Sequence, residues 1–143
     1  MNKSNIYNYF NLFLRPTKKR GRKIKKPNTR YLKYKEETRA IVHERLVFWN
    51  HFYNFTYKKV FIKNQKTRWG SCSRKGNLNF SYKLVFLPIY LVDYIIVHEL
   101  CHLGEFNHSA NFWALVAKTI PNHRHLKNEL KHTAINVNKK PAN

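Results

Sequence analysis

The fold of this chain is decided by one segment, which reads Ile89-Tyr90-Leu91-Val92-Asp93-Tyr94-Ile95-Ile96-Val97-His98-Glu99-Leu100-Cys101-His102-Leu103. Its apolar residues lie on almost every side of a helical wheel, which is typical of a helix buried at the centre of a domain. Pro88 suits the first turn of such a helix, and Gly104 favours a stop after it. The sequence therefore predicts a central buried helix from Ile89 to Leu103.

Polar residues interrupt this apolar helix in the order His98-Glu99-x-x-His102. Residues four apart share one face of a helix, so both imidazoles can reach a single ion. Glu99 is rotated by about 100° from His98, so its carboxylate can reach a water on the ion without binding the ion itself. Buried polar groups of this kind are costly without a partner, and a cation would be one. We therefore predict a metal site, with Glu99 as the general base.

A catalytic zinc site needs a third protein ligand and one open position. His108 follows His98 by ten residues, which is the spacing of the third histidine in H-E-x-x-H-x-x-G-x-x-H proteins. Glu105 stands where that pattern has its glycine, and Gly104 lies one residue earlier, so the turn must differ in detail. Two alternatives stay open: Glu129 from a following helix as third ligand, or a cluster of hydrogen-bonded imidazoles without metal.

Shorter patterns on both sides of the central helix predict the rest of the domain. Apolar spacing predicts a helix from Lys35 to about Tyr53, and β-rich runs predict three strands with a tight turn at Gly76 before the last. The predicted strands span residues 57–62, 68–73 and 77–82. Two further helices are predicted, one from Ser109 (or Asn107) to about Thr119 and one from His123 to about His132. The predicted fold class is α+β. It has a small antiparallel or mixed sheet of about three strands on the central helix, an N-terminal helix and one or two C-terminal helices.

Charge is the unusual property of the composition. The 143 residues include 28 Lys and Arg against 7 Asp and Glu, which gives a net charge of +21. Such an excess favours acidic ligands, nucleic acid or an anionic membrane, although a solvated lysine coat needs no partner. The length suits one domain. We expect it to span residues 31–134, between a basic arm over 1–30 and a tail over 135–143.

The basic arm contains the candidate contacts to nucleic acid. These residues are Lys18, Lys19, Arg20, Arg22, Lys23, Lys25 and Lys26. Two cysteines, Cys72 and Cys101, are too few for a disulfide framework, and we expect them to be small packing residues. We expect neither a secretory signal nor a membrane span, and hence a cytoplasmic protein.

Motifs in four parts of the chain resemble one known family. They are Arg68-Trp69-Gly70-Ser71-Cys72-Ser73, Gly76-Asn77-Leu78, Asp93 to His102, and Asn107-His108-Ser109 with Phe112-Trp113. In this order and spacing, from about Tyr31 to Leu130, they resemble the YgjP-like metallopeptidases, which are related to the SprT-like zincins. The resemblance implies a zincin-like fold with an edge strand beside the metal. It also implies zinc bound by His98, His102 and His108, with Glu99 catalytic.

The expected function is that of a zinc-dependent hydrolase, and a metallopeptidase in particular. A peptide substrate would pair with the strand that contains Arg68, Trp69, Gly70 and Ser71, if that strand is an exposed edge. A nucleoside-triphosphate pyrophosphatase activity has also been attached to the family, but the sequence has no glycine-rich phosphate loop. A further alternative is a basic nucleic-acid-associated module with structural zinc, for which Cys72 would have to be the fourth ligand. Known family members usually have a longer, strand-rich N-terminal region than this chain has.

Overall fold

The computed structural model describes residues 28–138, with side chains as far as Thr133. Its elements are α1 (Thr29–Asn50), β1 (Lys59–Lys63), β2 (Gly70–Cys72), β3 (Asn77–Ser81), a 3₁₀ helix (Tyr82–Phe86), α2 (Ile89–Gly104), α3 (Ala110–Thr119) and α4 (His123–Asn138). The predicted α+β fold class is confirmed: the described residues form four α-helices and a small three-stranded sheet. None of the described helices is long and apolar enough to cross a membrane.

Several element boundaries differ from those predicted, by up to six residues. α1 begins at Thr29 rather than Lys35, because Asn28 caps it by accepting a hydrogen bond from the Tyr31 backbone at 3.0 Å. The second strand is limited to Gly70–Cys72, so that Arg68 and Trp69 precede it. α4 continues beyond His132 to Asn138, into the stretch expected to be a tail.

The sheet is mixed, with the strand order β1-β3-β2. β1 runs parallel to β3, and β2 runs antiparallel to β3. The turn between β2 and β3 needs Gly76, whose φ of 76° is in the left-handed region that side chains disfavour. Within the described residues β2 has a neighbour on one side only, so its outer edge is free to pair.

α2 is the buried centre of the domain, as predicted. Its core residues include Leu91, Ile96, Val97 and Leu100, each fully buried. α1, α3, α4 and β2 all pack against this helix. Because four elements pack against α2, the backbone that carries its polar side chains is held in place.

Asp93 ties α2 to α1. Its carboxylate accepts hydrogen bonds from Arg45 Nε at 2.5 Å and Nη2 at 2.9 Å, and from Trp49 Nε1 at 2.9 Å. The Arg45 and Asp93 side chains are only 19% and 14% exposed. Asp93 therefore stabilises the packing of α1 against α2.

Replacing Asp93 with Asn should destabilise the domain by about 2–4 kcal/mol, because Arg45 is left partly buried without its counter-charge. Urea denaturation measures the loss. The control is Glu36→Gln, which removes the exposed partner of Arg39 and should hardly move the midpoint. Equal midpoints for the two variants would contradict this role for Asp93.

Candidate metal centre

Three histidines converge beside β2. His98 and His102 lie on successive turns of α2, and His108 lies in the loop that leads to α3. One ring nitrogen from each of the three lies within 4.8 Å of the other two. The Nε2 atoms of His98 and His108 are 3.1 Å apart. The loop therefore brings the third imidazole back to the two on the helix.

The loop turns without the glycine that the sequence pattern led us to look for. Glu105 ends α2 with an extended backbone (φ −136°, ψ 105°). Its carbonyl oxygen lies 3.1 Å from His102 Nδ1 and can accept a hydrogen bond from it. With Nδ1 bonded in this way, Nε2 of His102 keeps its lone pair for an ion. Ser109 then caps α3 by accepting from the Phe112 backbone at 3.3 Å.

Aromatic stacking supports the histidines from behind. The His102 ring stacks on Phe112, with centroids 4.5 Å apart. His108 stacks on Trp113 at 5.6 Å, and Trp113 stacks in turn on His123 at 5.0 Å. Sequence reasoning treated Trp113 and His123 as ordinary core or surface residues. Their part in this stack depends on how α3 and α4 pack, and no local sequence signal reveals it.

Burial of the ring disfavours the charged form of the three imidazoles, most strongly for His98. It lowers the pKa of His98 to about 3, with further lowering from the neighbouring His102 and His108. The pKa values of His102 and His108 are also lowered, chiefly by burial. A neutral imidazole has the lone pair that a metal ion requires. The cluster is therefore suited to bind a cation and poorly suited to hold protons.

The Glu99 side chain lies between its own helix, α2, and Gly70 of β2, and the residue is 6% exposed. Burial raises the pKa of its carboxyl group to about 8, and the positive charge of Arg68 opposes the rise. Its Oε2 has no hydrogen-bond partner among the described residues. Gly70 allows this position, because a Cβ there would lie 2.7 Å from Glu99 Cγ and Oε1.

Two adjoining cavities open at this site. The larger, of about 320 Å³, is lined by the three histidines, Glu99, Phe106 and residues of β2 that include Ser71 and Cys72. The smaller, of about 220 Å³, has apolar walls formed by Trp69, Tyr94, Ile95 and Leu130. Arg68 and Gly70 line both. We call the two cavities together the cleft; all four residues predicted to contact substrate, Arg68 to Ser71, lie on it.

Tyr94 and Ile95 were not singled out from the sequence, although a signal was present. They lie one helical turn before His98 and Glu99, so the spacing rule that paired the two histidines places them on the same side of α2. Leu130 belongs to α4. Its contribution could not be predicted without knowing how that helix packs.

Other candidate residues lie elsewhere. Glu129 accepts a hydrogen bond from Tyr90 and lines a separate cavity with Asp93 and His125, so the structure does not bring it to the histidines. Cys72 lines the cleft, but its sulfur is outside the histidine cluster. The predicted nucleic-acid contacts, Lys18 to Lys26, fall outside the described residues.

Comparison with known proteins identifies the class to which this arrangement belongs. The fold is similar to two crystal structures of metallopeptidase zymogens, abylysin of Pyrococcus abyssi and jannalysin of Methanocaldococcus jannaschii. The abylysin match has a TM-score of 0.59 at 22% identity, and it covers 64% of this chain and 93% of abylysin. The jannalysin match has a TM-score of 0.52 at 22% identity, and it covers 67% of this chain and 95% of jannalysin.

The family assignment is more direct. Residues 11–133 match the YgjP-like family, described as the YgjP-like metallopeptidase domain. The chain belongs to this family, as its motifs led us to expect. No curated protein matches the sequence significantly. The family supports a hydrolase of the metallopeptidase class.

The contact between Gly70 and Glu99 generates a test. Gly70→Ala should push the Glu99 carboxylate from its position and lower peptide hydrolysis roughly 10- to 100-fold, since small displacements of reacting groups are costly. Activity assays and metal analysis on the same preparation measure the effect, and metal content should not change. The control is Gly104→Ala, whose Cβ would meet Phe55 Cζ at 2.9 Å instead of Glu99. Equal activity in the two variants would contradict the proposed constraint.

Proposed function

We propose that this protein is a zinc-dependent peptidase in which His98, His102 and His108 hold the metal and Glu99 is the general base. One observation supports this most strongly: three imidazoles have ring nitrogens within 4.8 Å of one another, next to a buried carboxyl group with an unpartnered oxygen. The family to which the chain belongs gives independent support for the reaction class.

The donor set fits zinc. Tetrahedral zinc with Zn–N bonds of about 2.0–2.1 Å holds its ligand atoms roughly 3.4 Å apart. The His98 and His108 Nε2 atoms are 3.1 Å apart, so a small outward movement would accommodate the ion. Three protein ligands with a fourth position left open are typical of catalytic zinc, whereas structural zinc has four.

The alternative of a structural zinc site would need Cys72 as fourth ligand. Within the part of the chain that the structure describes, the cluster contains the three histidines and no cysteine. The Cys72 thiol lies 3.6 Å from the backbone oxygen of Ser73, and burial raises its pKa to about 11. The absence of the Cys72 sulfur from the cluster favours three protein ligands and hence the catalytic interpretation.

The mechanism follows from the roles of these residues. When bound, zinc polarises the carbonyl of the scissile peptide and lowers the pKa of a water molecule. The positive charge of a bound ion would lower the raised pKa of Glu99 and leave its carboxylate ionised. Glu99 would then accept a proton from the water as the water oxygen attacks the carbonyl carbon, and would donate it to the amine nitrogen as the C–N bond breaks. The close contact with Gly70 holds the carboxylate against β2, at the wall of the cleft where a substrate backbone would lie.

The free edge of β2 supports a peptide as substrate. An extended peptide can add to an unpaired edge through backbone hydrogen bonds, which orient it without regard to its sequence. Gly70 and Ser71 are on this strand and line the cleft with Glu99. Arg68 lines both cavities and can meet a substrate group on either side of the scissile bond. Nucleoside triphosphates would use none of the backbone pairing that β2 offers.

Glu99→Gln tests the role of the general base. The variant should retain zinc and lose at least about 100-fold in peptide hydrolysis, because the amide cannot accept the proton. Assays on unfolded protein substrates and on nucleoside triphosphates, with metal analysis, give the result. Glu105→Gln is the control, since Glu105 contacts the site through its backbone carbonyl. Undiminished peptide hydrolysis in the Glu99 variant would rule out the mechanism.

His108→Ala tests the third ligand. Zinc affinity should fall by more than the roughly 10- to 100-fold that loss of an outer-shell partner costs. Competition with a chromogenic chelator measures it. His125→Ala is the control, because His125 is an exposed histidine of α4 beside Glu129 and should bind no zinc. Unchanged affinity after loss of His108 would show that another residue completes the site.

A further inference from the structure

Arg68 lines the cleft and three further cations lie near it, and none of the four has a carboxylate partner among the described residues. They come from two sides: Arg68 and Arg74 from the sheet side, and Arg124 and Lys127 from α4. We call them the cleft cations. Unpaired charges on a protein surface are common, so the question is whether their positions are organised toward a ligand.

On the sheet side, the two arginines are directed to the cleft. Arg68 lines both cavities and is close enough to Glu99 to oppose the rise in its pKa. The Arg74 guanidinium lies 5.3 Å from the ring centroid of Phe106, and Phe106 lines the larger cavity. The aromatic contact restrains Arg74 beside the opening of that cavity.

On the opposite side, α4 presents Arg124, Lys127 and Leu130 at three-residue intervals, which is one face of a helix. Leu130 lines the smaller cavity of the cleft, so this face borders the cleft. Lys127 Nζ lies 4.9 Å from the Trp113 ring centroid. Trp113 stacks on His108, so Lys127 is held next to the metal centre.

Arg124 extends this positive border. Together with Lys127, Trp113 and His123 it lines a cavity of about 400 Å³. His123 is 8% exposed, and its Nδ1 has no hydrogen-bond partner among the described residues. The cavity thus has an aromatic and imidazole floor and two cations at its edge.

Acidic residues do not balance these charges. Of the 7 in the chain, three are on α1 and two are engaged elsewhere, Asp93 by Arg45 and Glu129 by Tyr90. Glu99 and Glu105 remain, and the first is the buried general base of the proposed function. Among the described residues, cations therefore outnumber carboxylates on both sides of the cleft.

We infer that the cleft selects acidic polypeptides, with Asp or Glu side chains on both sides of the scissile bond. One side chain would meet Arg68 and Arg74, and the other would meet Lys127 and Arg124. This inference rests on the proposed peptidase function and adds the substrate class. Charges at the edge of a binding site strengthen association and are screened by salt, so the selectivity should weaken as salt increases.

The first test compares two peptides that differ only by Glu or Gln at the positions flanking the cleavage site. The wild-type protein should have the higher kcat/KM for the Glu peptide at low salt. Arg124→Gln with Lys127→Gln should reduce this preference roughly 3- to 10-fold. The control is Arg30→Gln with Lys118→Gln, which also removes one arginine and one lysine, here from positions beside the rings of Phe86 and Tyr53. It should leave the preference unchanged. An equal reduction in both double variants would overturn the inference.

The second test does not depend on hydrolysis. Calorimetric titration of the zinc-loaded Glu99→Gln protein should give tighter binding of the Glu peptide than of the Gln peptide, and adding the Arg124 and Lys127 changes should remove the difference. If this binding pattern holds while the wild-type protein cleaves no peptide, the proposed function fails and the acidic selectivity stands. Equal binding of both peptides would overturn the selectivity. It would also be overturned if the Arg124 and Lys127 changes weakened the binding of a single-stranded oligonucleotide but of neither peptide.

Discussion

The burial of polar side chains on one helix is the constraint on which the rest of the structure depends. α2 is the centre of the core, and its mostly apolar surface carries the His98 and His102 imidazoles and the Glu99 carboxyl group at the site, besides Asp93. Groups of this kind are stable in an interior only when they have partners. Several features around them are consequences: the glycine of β2 that makes room for Glu99, the Glu105 carbonyl that meets His102, and the aromatic rings stacked behind the histidines.

The support for the third histidine extends beyond its own loop. His108 is an exposed residue in a connection between helices, so its position depends on what stacks against it. Trp113 on α3 lies against its ring, and His123 on α4 lies against Trp113. α4 therefore helps to hold the metal centre, and its other residues border the cleft. Under the proposed function, α4 would both support a metal ligand and border the bound substrate.

Much of the fold could be predicted from the sequence where the signal is local. Pro88, Gly104 and the unbroken apolar pattern between them fixed α2 to within one residue. The start of α1 was predicted six residues too late and its end about three residues too late. It is secured by the Asn28 cap and by a tertiary hydrogen bond from the Tyr31 hydroxyl to the Ile62 backbone at 2.9 Å. A tertiary bond of that kind has no local sequence pattern.

The candidate site likewise contains some residues that the sequence predicts and others that it does not. Spacing along α2 was enough to propose His98, Glu99 and His102, and the resemblance to a family supported His108. Residues that reach the cleft from a distant element, such as Leu130 and Lys127 on α4, have no signal in the sequence, because their contribution depends on helix packing. Membership of the YgjP-like metallopeptidase family supports the function proposed for the site.

The most direct measurement of the central claim is X-ray absorption spectroscopy at the zinc edge of the purified, zinc-loaded protein. The account predicts one zinc per chain with a first shell of three imidazole nitrogens at about 2.0–2.1 Å and one oxygen. A sulfur ligand at about 2.3 Å, or a shell with only two imidazoles, would contradict it.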